Sequence, residues 1–331
     1  MTKPLRWSLS LAAALVMCLA GTRAIPQAQE RLPPPPETTV VPTDDLKIMY
    51  IAGNKGGPGS MFSSMYLIVG GPGDRHTVAL DLDDGVVLID TKPPRLGHLL
   101  PGKVRLMTAN PITLIVNTNP GGALTNSTFT DAVEIFAHEN TKARLAPLKA
   151  FAGANARFLP TTTLTDTFRV PLKTVGEATG TNRLDLFHFG AAYSDGDLIA
   201  VFPSFGVAYL GELFPDKAVP TIDTANGGSA VAFPETLARA VEGLKDAEID
   251  LIVPGHAPAP YKAVVEWLTM DDLKEYAEFS RALLDSFTAA RAAGKSVDAA
   301  VESLQLPEKF KNYGLANAQQ YAQALYTELA R

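Results

Sequence analysis

The sequence has a single cysteine, Cys18, among its 331 residues. Cys18 lies in an N-terminal apolar segment that we expect to be removed from the mature protein. The mature chain would then contain no thiol. That absence excludes disulfide bonds, a cysteine nucleophile and cysteine-ligated zinc.

The sequence also lacks a run of basic residues, and its net charge is −6. Three basic residues and no acidic residue precede Ala24, so removing their three positive charges leaves about −9 on the remainder. An acidic protein without a basic patch repels phosphate groups. Nucleic acid and anionic membranes are therefore not expected partners.

Residues 1–24 are predicted to be a secretory signal peptide. Lys3 and Arg6 form the charged start, residues 7–20 are mostly apolar, and Ala24 is a small residue at a cleavage site. A retained membrane anchor is the alternative, but the apolar segment is short for a membrane span. The expected location is the periplasm or the outside of the cell.

Residues 25–45 are predicted to be a proline-rich linker, because residues 33–36 are all proline and their neighbours are polar. Residues 46–270 are then predicted to form one α/β domain. Apolar runs rich in β-branched residues predict strands at 48–52, 65–69, 77–82, 85–90, 112–116, 133–137, 184–189, 198–202, 207–210 and 250–253. Helices are predicted at 103–109, 123–130, 138–150 and 233–244.

This order of elements gives two halves, each with strands followed by a helix. It predicts an αββα sandwich in which the loops of both halves meet at one edge. Residues 271–331 are predicted to be a helical extension, because apolar residues from Leu273 to Phe287 recur on one helical face and Gly294 ends that helix. The extension is either a packing element or a surface for a homodimer.

The chain is organised around residues 112–129. Residues 112–116 form a buried strand, and the turn after it contains Pro120, Gly121 and Gly122. In open α/β sheets, the point where a strand ends and a helix begins is where ligands bind. The functional residues are therefore expected in and around this turn.

This strand and turn resemble the metal-binding signature of the metallo-β-lactamase superfamily, Asn-Thr-His-x-His-x-Asp-His. In this sequence Asn119 and Gly121 stand at the first two histidine positions. Ala123 stands at the aspartate position and Leu124 at the third histidine position. The framework of the signature is present, but its ligands are replaced.

Three further motifs of the superfamily follow in the expected order. In the His-x-x-Gly-Asp motif Tyr193 replaces the histidine, and in Gly-Asp-Leu-Phe Glu212 replaces the aspartate. The Pro-Gly-His motif is intact and ends at His256. Residues 137–141 also match exported bacterial members that contain Ala-His-Glu-Asn-Thr. The resemblance covers roughly residues 48–262 and implies the αββα sandwich of zinc hydrolases.

The resemblance implies two zinc sites, and their positions here are Asn119, Gly121 and Tyr193 for one and Ala123, Leu124, Glu212 and His256 for the other. Catalytic zinc takes about three nitrogen, oxygen or sulfur ligands. A carboxamide is a weak ligand, and a phenol has to lose a proton with a pKa of about 10. Only Glu212 and His256 remain competent, as weak candidates. The prediction is that the protein has no dedicated metal site and no other cofactor.

Two functions remain open at this point. In the first, the protein is a metal-free hydrolase of esters, amides or lactones, with His256 as general base and Glu212 orienting it. Tyr193 would then donate a proton and Asn119 would bind an oxyanion. In the second, these residues are relics, and the protein binds a small ligand without catalysis. Both functions imply a small-molecule partner.

Other polar residues are expected to be structural. Asp90, at the end of a predicted strand, is expected to accept backbone N–H groups. His138 is expected to be a hydrogen-bonded histidine, with Asn140 or Thr141 capping the helix that follows. His76 lies in an apparent loop and carries no functional signal.

Overall fold

The computed structural model describes residues 45–53, 64–70, 74–83, 85–130, 133–172, 183–215, 217–256 and 268–331. The predicted signal peptide and all of the predicted linker except Asp45 lie outside these residues. The described residues all belong to one compact unit of the chain, Pro35–Arg331. Among them, no helix is long and apolar enough to cross a membrane.

Within the described ranges, the first sheet has seven strands that follow each other in chain order. They are β1 (Lys47–Gly53), β2 (Ser64–Val69), β3 (Thr77–Leu82), β4 (Gly85–Ile89), β5 (Ile112–Asn117), β6 (Glu134–His138) and β7 (Thr162–Leu164). Strands β1 to β4 pair antiparallel, and β4 to β7 pair parallel. The carboxyl ends of β4, β5 and β6 therefore lie at one edge of the sheet.

The second sheet, as far as the described residues show it, has five strands in the order β12-β11-β10-β9-β8. They are β8 (Thr167–Pro171), β9 (Arg183–Phe187), β10 (Ile199–Phe202), β11 (Val207–Tyr209) and β12 (Leu251–Val253). Strands β11 and β12 pair parallel, so that their carboxyl ends also lie together. The two sheets share a core, to which Val87 and Val116 of the first sheet and Leu186 and Val207 of the second contribute.

The helices cover the outer faces of both sheets. They are α1 (Pro94–Gly97), α2 (Leu100–Met107), α3 (Glu139–Leu145), α4 (Phe233–Gly243), α5 (Met270–Ala292), α6 (Val297–Glu302) and α7 (Ala318–Glu328). Leu100 and Val104 of α2 share a buried cluster with Leu88 and Ile115 of the first sheet. The side chains of β4 thus alternate between this cluster and the core between the sheets, which explains why the strand is apolar throughout.

Helices α4, α5 and α7 form one apolar cluster with the outer face of the second sheet. Leu237, Phe279 and Tyr321 are fully buried there beside Ile252. The layers are therefore helix, sheet, sheet and helix, and the predicted αββα sandwich with C-terminal helices is confirmed. The apolar face of α5 is used for packing within the chain. A homodimer and a domain boundary at residue 270 stay predictions.

Local structure differs from the sequence prediction at several places. Strands β7 and β8 were not predicted, and the helix predicted over 138–150 ends at Leu145. No continuous helix covers residues 123–130; two short 3-10 turns, Pro120–Ala123 and Asn126–Thr128, stand there instead. The Asn126 side chain bonds both Asn117 and the carbonyl of Phe158, which ties the segment to its surroundings instead of to a helix. Helix α3 is capped by the side chain of His138, which accepts the N–H of Asn140.

Candidate functional site

Four loops at the carboxyl ends of parallel strands build the site. Asp90 follows β4, the turn that contains Asn119 follows β5, Glu212 lies just after β11, and His256 follows β12. Tyr193 lies in the connection between β9 and β10. This placement agrees with the general position of ligand sites at strand ends in α/β folds.

Glu212 and His256 are in direct contact. The imidazole Nε2 of His256 lies 2.6 Å from Oε1 of Glu212. Glu212 is buried in a 3-10 turn, Gly211–Leu213, whereas the side chain of His256 is about one quarter exposed, at 25%. The structure thus brings together the two residues that the sequence analysis identified as weak candidate metal ligands and as the proposed general base with its orienting carboxylate.

Arg75 completes this pair and was missed by the sequence analysis. Its Nη2 lies 2.6 Å from the same Oε1 of Glu212, and its Nη1 lies 3.9 Å from Oδ2 of Asp90. Arg75 reaches this position because it forms an antiparallel bridge with His256, and the N–H of His76 donates to the carbonyl of Gly255 at 2.8 Å. This pairing spans most of the domain, and no local pattern in the sequence signals it.

These contacts fix the charge of Glu212. Burial alone would raise the pKa of Glu212, but the charge of Arg75, followed by the interaction with His256, holds it at about 2. Burial alone would lower the pKa of Arg75, yet Glu212 and Asp90 raise it above its ordinary value. Near neutral pH the site therefore holds a buried carboxylate and a buried guanidinium that neutralise each other.

Asp90 holds the turn after β5, as the sequence analysis expected of a strand-end carboxylate. Its Oδ1 accepts the N–H of Thr118 at 2.7 Å, and its Oδ2 accepts the Thr118 hydroxyl at 2.6 Å. The Tyr209 hydroxyl donates to the same Oδ2 at 3.1 Å. Burial raises the pKa of Asp90, while Arg75 and the bonds from Thr118 oppose that shift. Asp90 is the one described non-glycine residue with positive φ, at 62°.

Asn119 lies within this turn with its side chain buried. Its Oδ1 accepts the N–H of Gly122 at 3.2 Å, which caps the 3-10 turn that follows, and its Nδ2 donates to the Thr118 hydroxyl at 3.1 Å. Both ends of the amide are therefore engaged within the loop. A role of Asn119 in binding an oxyanion stays a prediction and would use the second N–H of Nδ2.

Tyr193 is half-buried beside the charged pair. Burial, and then the negative charge of Glu212, raise the pKa of the Tyr193 phenol, so the phenol stays protonated near neutral pH. The neighbouring Ser194 is not free to act as a nucleophile. Its hydroxyl donates to Asp197 at 2.5 Å, and its N–H donates to the same carboxyl group at 2.8 Å.

A second buried ion pair lies behind Arg75. The ammonium of Lys92 is fully buried and donates to Asp74 and to the carbonyl of Ile68, each at 2.7 Å, and to the carbonyl of Arg75. Burial lowers the pKa of Lys92 to about 8, against the attraction of Asp74. Lys92 thus fixes the backbone from which the Arg75 side chain extends.

The residues at this site do not fit zinc. Gly121 and Ala123 offer no coordinating side-chain atom, and the amide of Asn119 is used within its loop. The one remaining carboxylate oxygen that faces His256, Oε1 of Glu212, already contacts a guanidinium. In the part of the chain that the structure describes, no three His, Cys, Asp or Glu residues are grouped so that they could hold a metal ion.

His76 is also buried, and its protonation state predicts how the stability of the fold depends on pH. Its Nδ1 lies 2.8 Å from the carbonyl of Pro254, which can only accept, so Nδ1 carries a proton and Nε2 is the nitrogen that would take up a second one. Burial, and then the charge of Lys92, lower the pKa of His76 to about 3. The unfolded chain binds this proton near its ordinary pKa of 6.5, and the folded chain binds it only near 3. His76 therefore destabilises the fold as the pH falls between these values.

Replacing His76 with asparagine keeps a donor for Pro254 and removes the titrating group. Asp197, whose pKa burial raises to about 8, changes stability in the opposite direction but is common to both proteins. We expect the unfolding free energy of His76→Asn, relative to the unmodified protein, to increase as the pH falls from 7 to 4.5. Urea unfolding at both pH values measures this difference. A difference that does not change with pH would contradict a buried neutral His76.

Comparison with solved structures agrees with this architecture. No family model and no curated protein matches the sequence. Among solved structures, the stereoselective inverting sec-alkylsulfatase Pisa1 from Pseudomonas sp. matches 84% of this chain with 14% identity and a TM-score of 0.59. A double mutant of that sulfatase matches the same share with 15% identity and a TM-score of 0.58. The match to a metallo-β-lactamase from Pontibacter korlensis covers 74% of this chain and 98% of that protein, with 18% identity and a TM-score of 0.47.

The chain spans about half, 50%, of the length of the two sulfatase structures. At identities of 14% and 15%, what this chain shares with them is the fold.

Proposed function

We propose that this chain, which has the metallo-β-lactamase fold, is an exported hydrolase-like protein with a degenerate zinc site and with any remaining hydrolysis metal-free. The observation that supports this best is the shared oxygen Oε1 of Glu212. It contacts the imidazole of His256 at 2.6 Å and the guanidinium of Arg75 at 2.6 Å. A carboxylate held in this way orients an imidazole, which is the arrangement that general-base catalysis requires.

The protonation states give each residue a role. Glu212 is ionised near neutral pH, because Arg75 and His256 outweigh the effect of burial on its pKa. An ionised carboxylate can only accept, so Nε2 of His256 is the donor in their hydrogen bond. In the neutral imidazole, Nδ1 then carries the lone pair that takes a proton from water. Tyr193 remains a proton donor for the leaving group of an ester, amide or lactone.

A second function, binding of a small ligand without catalysis, is favoured by one observation. The amide of Asn119, the proposed oxyanion donor, is buried and bonded at both ends within its own loop. A site built in this way is rigid but offers fewer groups to a transition state. In this alternative Glu212 and His256 recognise a polar ligand and do not move protons.

A hydrolase screen with matched histidine variants separates the two functions. The unmodified protein is assayed with ester, amide and lactone substrates, with and without a chelator. We expect hydrolysis to survive the chelator and to fall about 100-fold or more in His256→Ala, as is typical for loss of a general base. His98→Ala is the control, since His98 is exposed in the structure.

Hydrolysis that needs added zinc, or that is equal in His256→Ala and His98→Ala, would contradict the metal-free mechanism. Ligand-induced thermal shifts that need His256, with no hydrolysis of any substrate class, would favour the binding function. Metal analysis of protein purified without a chelator should find much less than one zinc per chain. About two tightly bound zinc ions per chain would contradict the degenerate zinc site and would indicate an ordinary zinc hydrolase.

Export is the part of the proposal that rests on the N-terminal sequence alone. Sequencing the N-terminus of secreted or periplasmic material should show a mature chain that begins near Ile25. An Ala24→Arg variant should block or displace the cleavage, because a small residue is required at that position. Full-length protein that stays in the cytosol would contradict this prediction.

A further inference from the structure

We propose that the guanidinium of Arg75 is the resident cation of this site: it takes the position at which the fold otherwise holds a metal, and it excludes divalent ions. The inference rests on the proposed function in one respect, the absence of zinc. It adds Arg75, which lies outside the superfamily motifs, and it gives a physical cause for the absence of zinc.

The first argument is position. Arg75 Nη2 and His256 Nε2 contact the same oxygen of Glu212, each at 2.6 Å. A metal bound to this oxygen would have to displace the guanidinium. Arg75 Nη1 has no hydrogen-bond partner among the described residues, and it lies 3.9 Å from the buried carboxylate of Asp90. The guanidinium therefore lies between two carboxylates, which is where a cation is expected.

The second argument comes from Gly121, which stands at a histidine position of the zinc signature. A Cβ atom added at Gly121 would lie 2.6 Å from Nη2 of Arg75 and 3.2 Å from Oδ1 of Asn119. A side chain at this position would point into the space that the guanidinium fills. Arg75 in its present position and a metal-binding side chain at residue 121 therefore exclude each other.

The third argument is that Arg75 is held in place. Its side chain is 8% exposed, and the Lys92 ammonium donates to the backbone carbonyl of Arg75 and to the side chain of its neighbour Asp74. The backbone is also paired with His256. Arginine stays charged at any pH at which the protein folds, and it offers five donors in a rigid plane. A fixed positive charge at this place repels a second cation.

Zinc binding by four variants tests the proposal. The motif comparison assigns residue 121 to the other zinc site, but a Cβ at residue 121 faces the same Nη2 of Arg75 that contacts Glu212. Gly121→His therefore places a third potential ligand beside Glu212 and His256, which is the number that an open zinc site needs. With Arg75 present, we expect this single variant to bind zinc as weakly as the unmodified protein. Gly121→His combined with Arg75→Met should bind one zinc per chain at least tenfold more tightly. Isothermal titration calorimetry and the zinc-dependent rise of the melting temperature measure both.

Two controls isolate the charge of Arg75. Gly121→His combined with Arg75→Lys keeps the positive charge and should remain a weak binder. Gly121→His combined with Arg183→Met removes an arginine that pairs with Asp185 on β9, and it should also remain weak. Zinc binding that is equally tight with and without Arg75→Met would overturn the proposal.

A measurement on the unmodified protein keeps the proposal testable if a variant does not fold. In ¹⁵N NMR spectra, the guanidinium signals of Arg75 should be resolved, slow in exchange with water and unchanged by added zinc. Averaged signals like those of exposed arginines would overturn the inference. Unmodified protein with tightly bound zinc would overturn the proposed function as well, whereas zinc-free protein with a mobile Arg75 would overturn the inference alone.

Discussion

Replacing Glu212 with alanine should lower the free energy of unfolding by about 3–5 kcal/mol, the cost of removing one partner of a buried ion pair. Arg75 and Glu212 are both buried, and their charges neutralise each other at 2.6 Å. Without Glu212, the nearest carboxylate to Arg75 is that of Asp90, whose Oδ2 is 3.9 Å from Nη1. The guanidinium cannot release its proton, so the buried positive charge would be left with only this more distant carboxylate.

The matched control is Glu242→Ala. Glu242 pairs with Lys245 on the surface, where both side chains are more than half exposed. Loss of such an exposed pair has little effect on stability, because solvent screens the charges. Glu212→Gln should be intermediate, since it removes the charge and keeps an acceptor. Urea unfolding at pH 7 gives all three values. Similar losses for Glu212→Ala and Glu242→Ala would show that the Arg75–Glu212 pair is not buried as described.

The sequence predicted the architecture because local patterns determine most of it. The run Gly85–Ile89 is apolar throughout because both faces of β4 are covered, and the apolar face of α5 appears as a regular helical spacing. The loops that carry Glu212 and His256 were located by the order of the superfamily motifs. Strand β8 was missed because most of its side chains are exposed, so neither alternation nor an apolar run marks it.

The part of the site that was not predicted depends on pairing between distant residues. Arg75 follows a glycine-rich segment, and its neighbours give no sign that it contacts residue 256, with which it forms a β-bridge. His76 was assigned no role for the same reason, although it is buried and bonded to Pro254. Motif comparison directs attention to positions that have ligands in other proteins. Arg75 lies outside those motifs, so a replacement of the metal by an arginine could be found only in three dimensions.

The turn that carries Asn119 gives the second large prediction. Gly122→Ala should destabilise the fold by about 3 kcal/mol, the upper part of the usual range for overpacking. An added Cβ would lie 1.9 Å from Oδ1 of Asp90. Asp90 cannot move away, because the same carboxyl group accepts two bonds from Thr118 and one from Tyr209. The carbonyl of Gly122 also accepts the N–H of Thr91 at 2.7 Å, so the glycine cannot move either.

Gly121→Ala is the adjacent control and should cost less, about 1–2 kcal/mol, because the atom nearest to its Cβ is the terminal Nη2 of Arg75, which side-chain torsions can shift while its bond to Glu212 weakens. The two variants add the same methyl group one residue apart. Their difference therefore reports how firmly Asp90 is held. Denaturant unfolding of both proteins measures it, and an equal loss of stability would mean that Asp90 yields as easily as Arg75. A small loss for Gly121→Ala together with weakened contact between Arg75 and Glu212 would also support the position of the guanidinium beside residue 121.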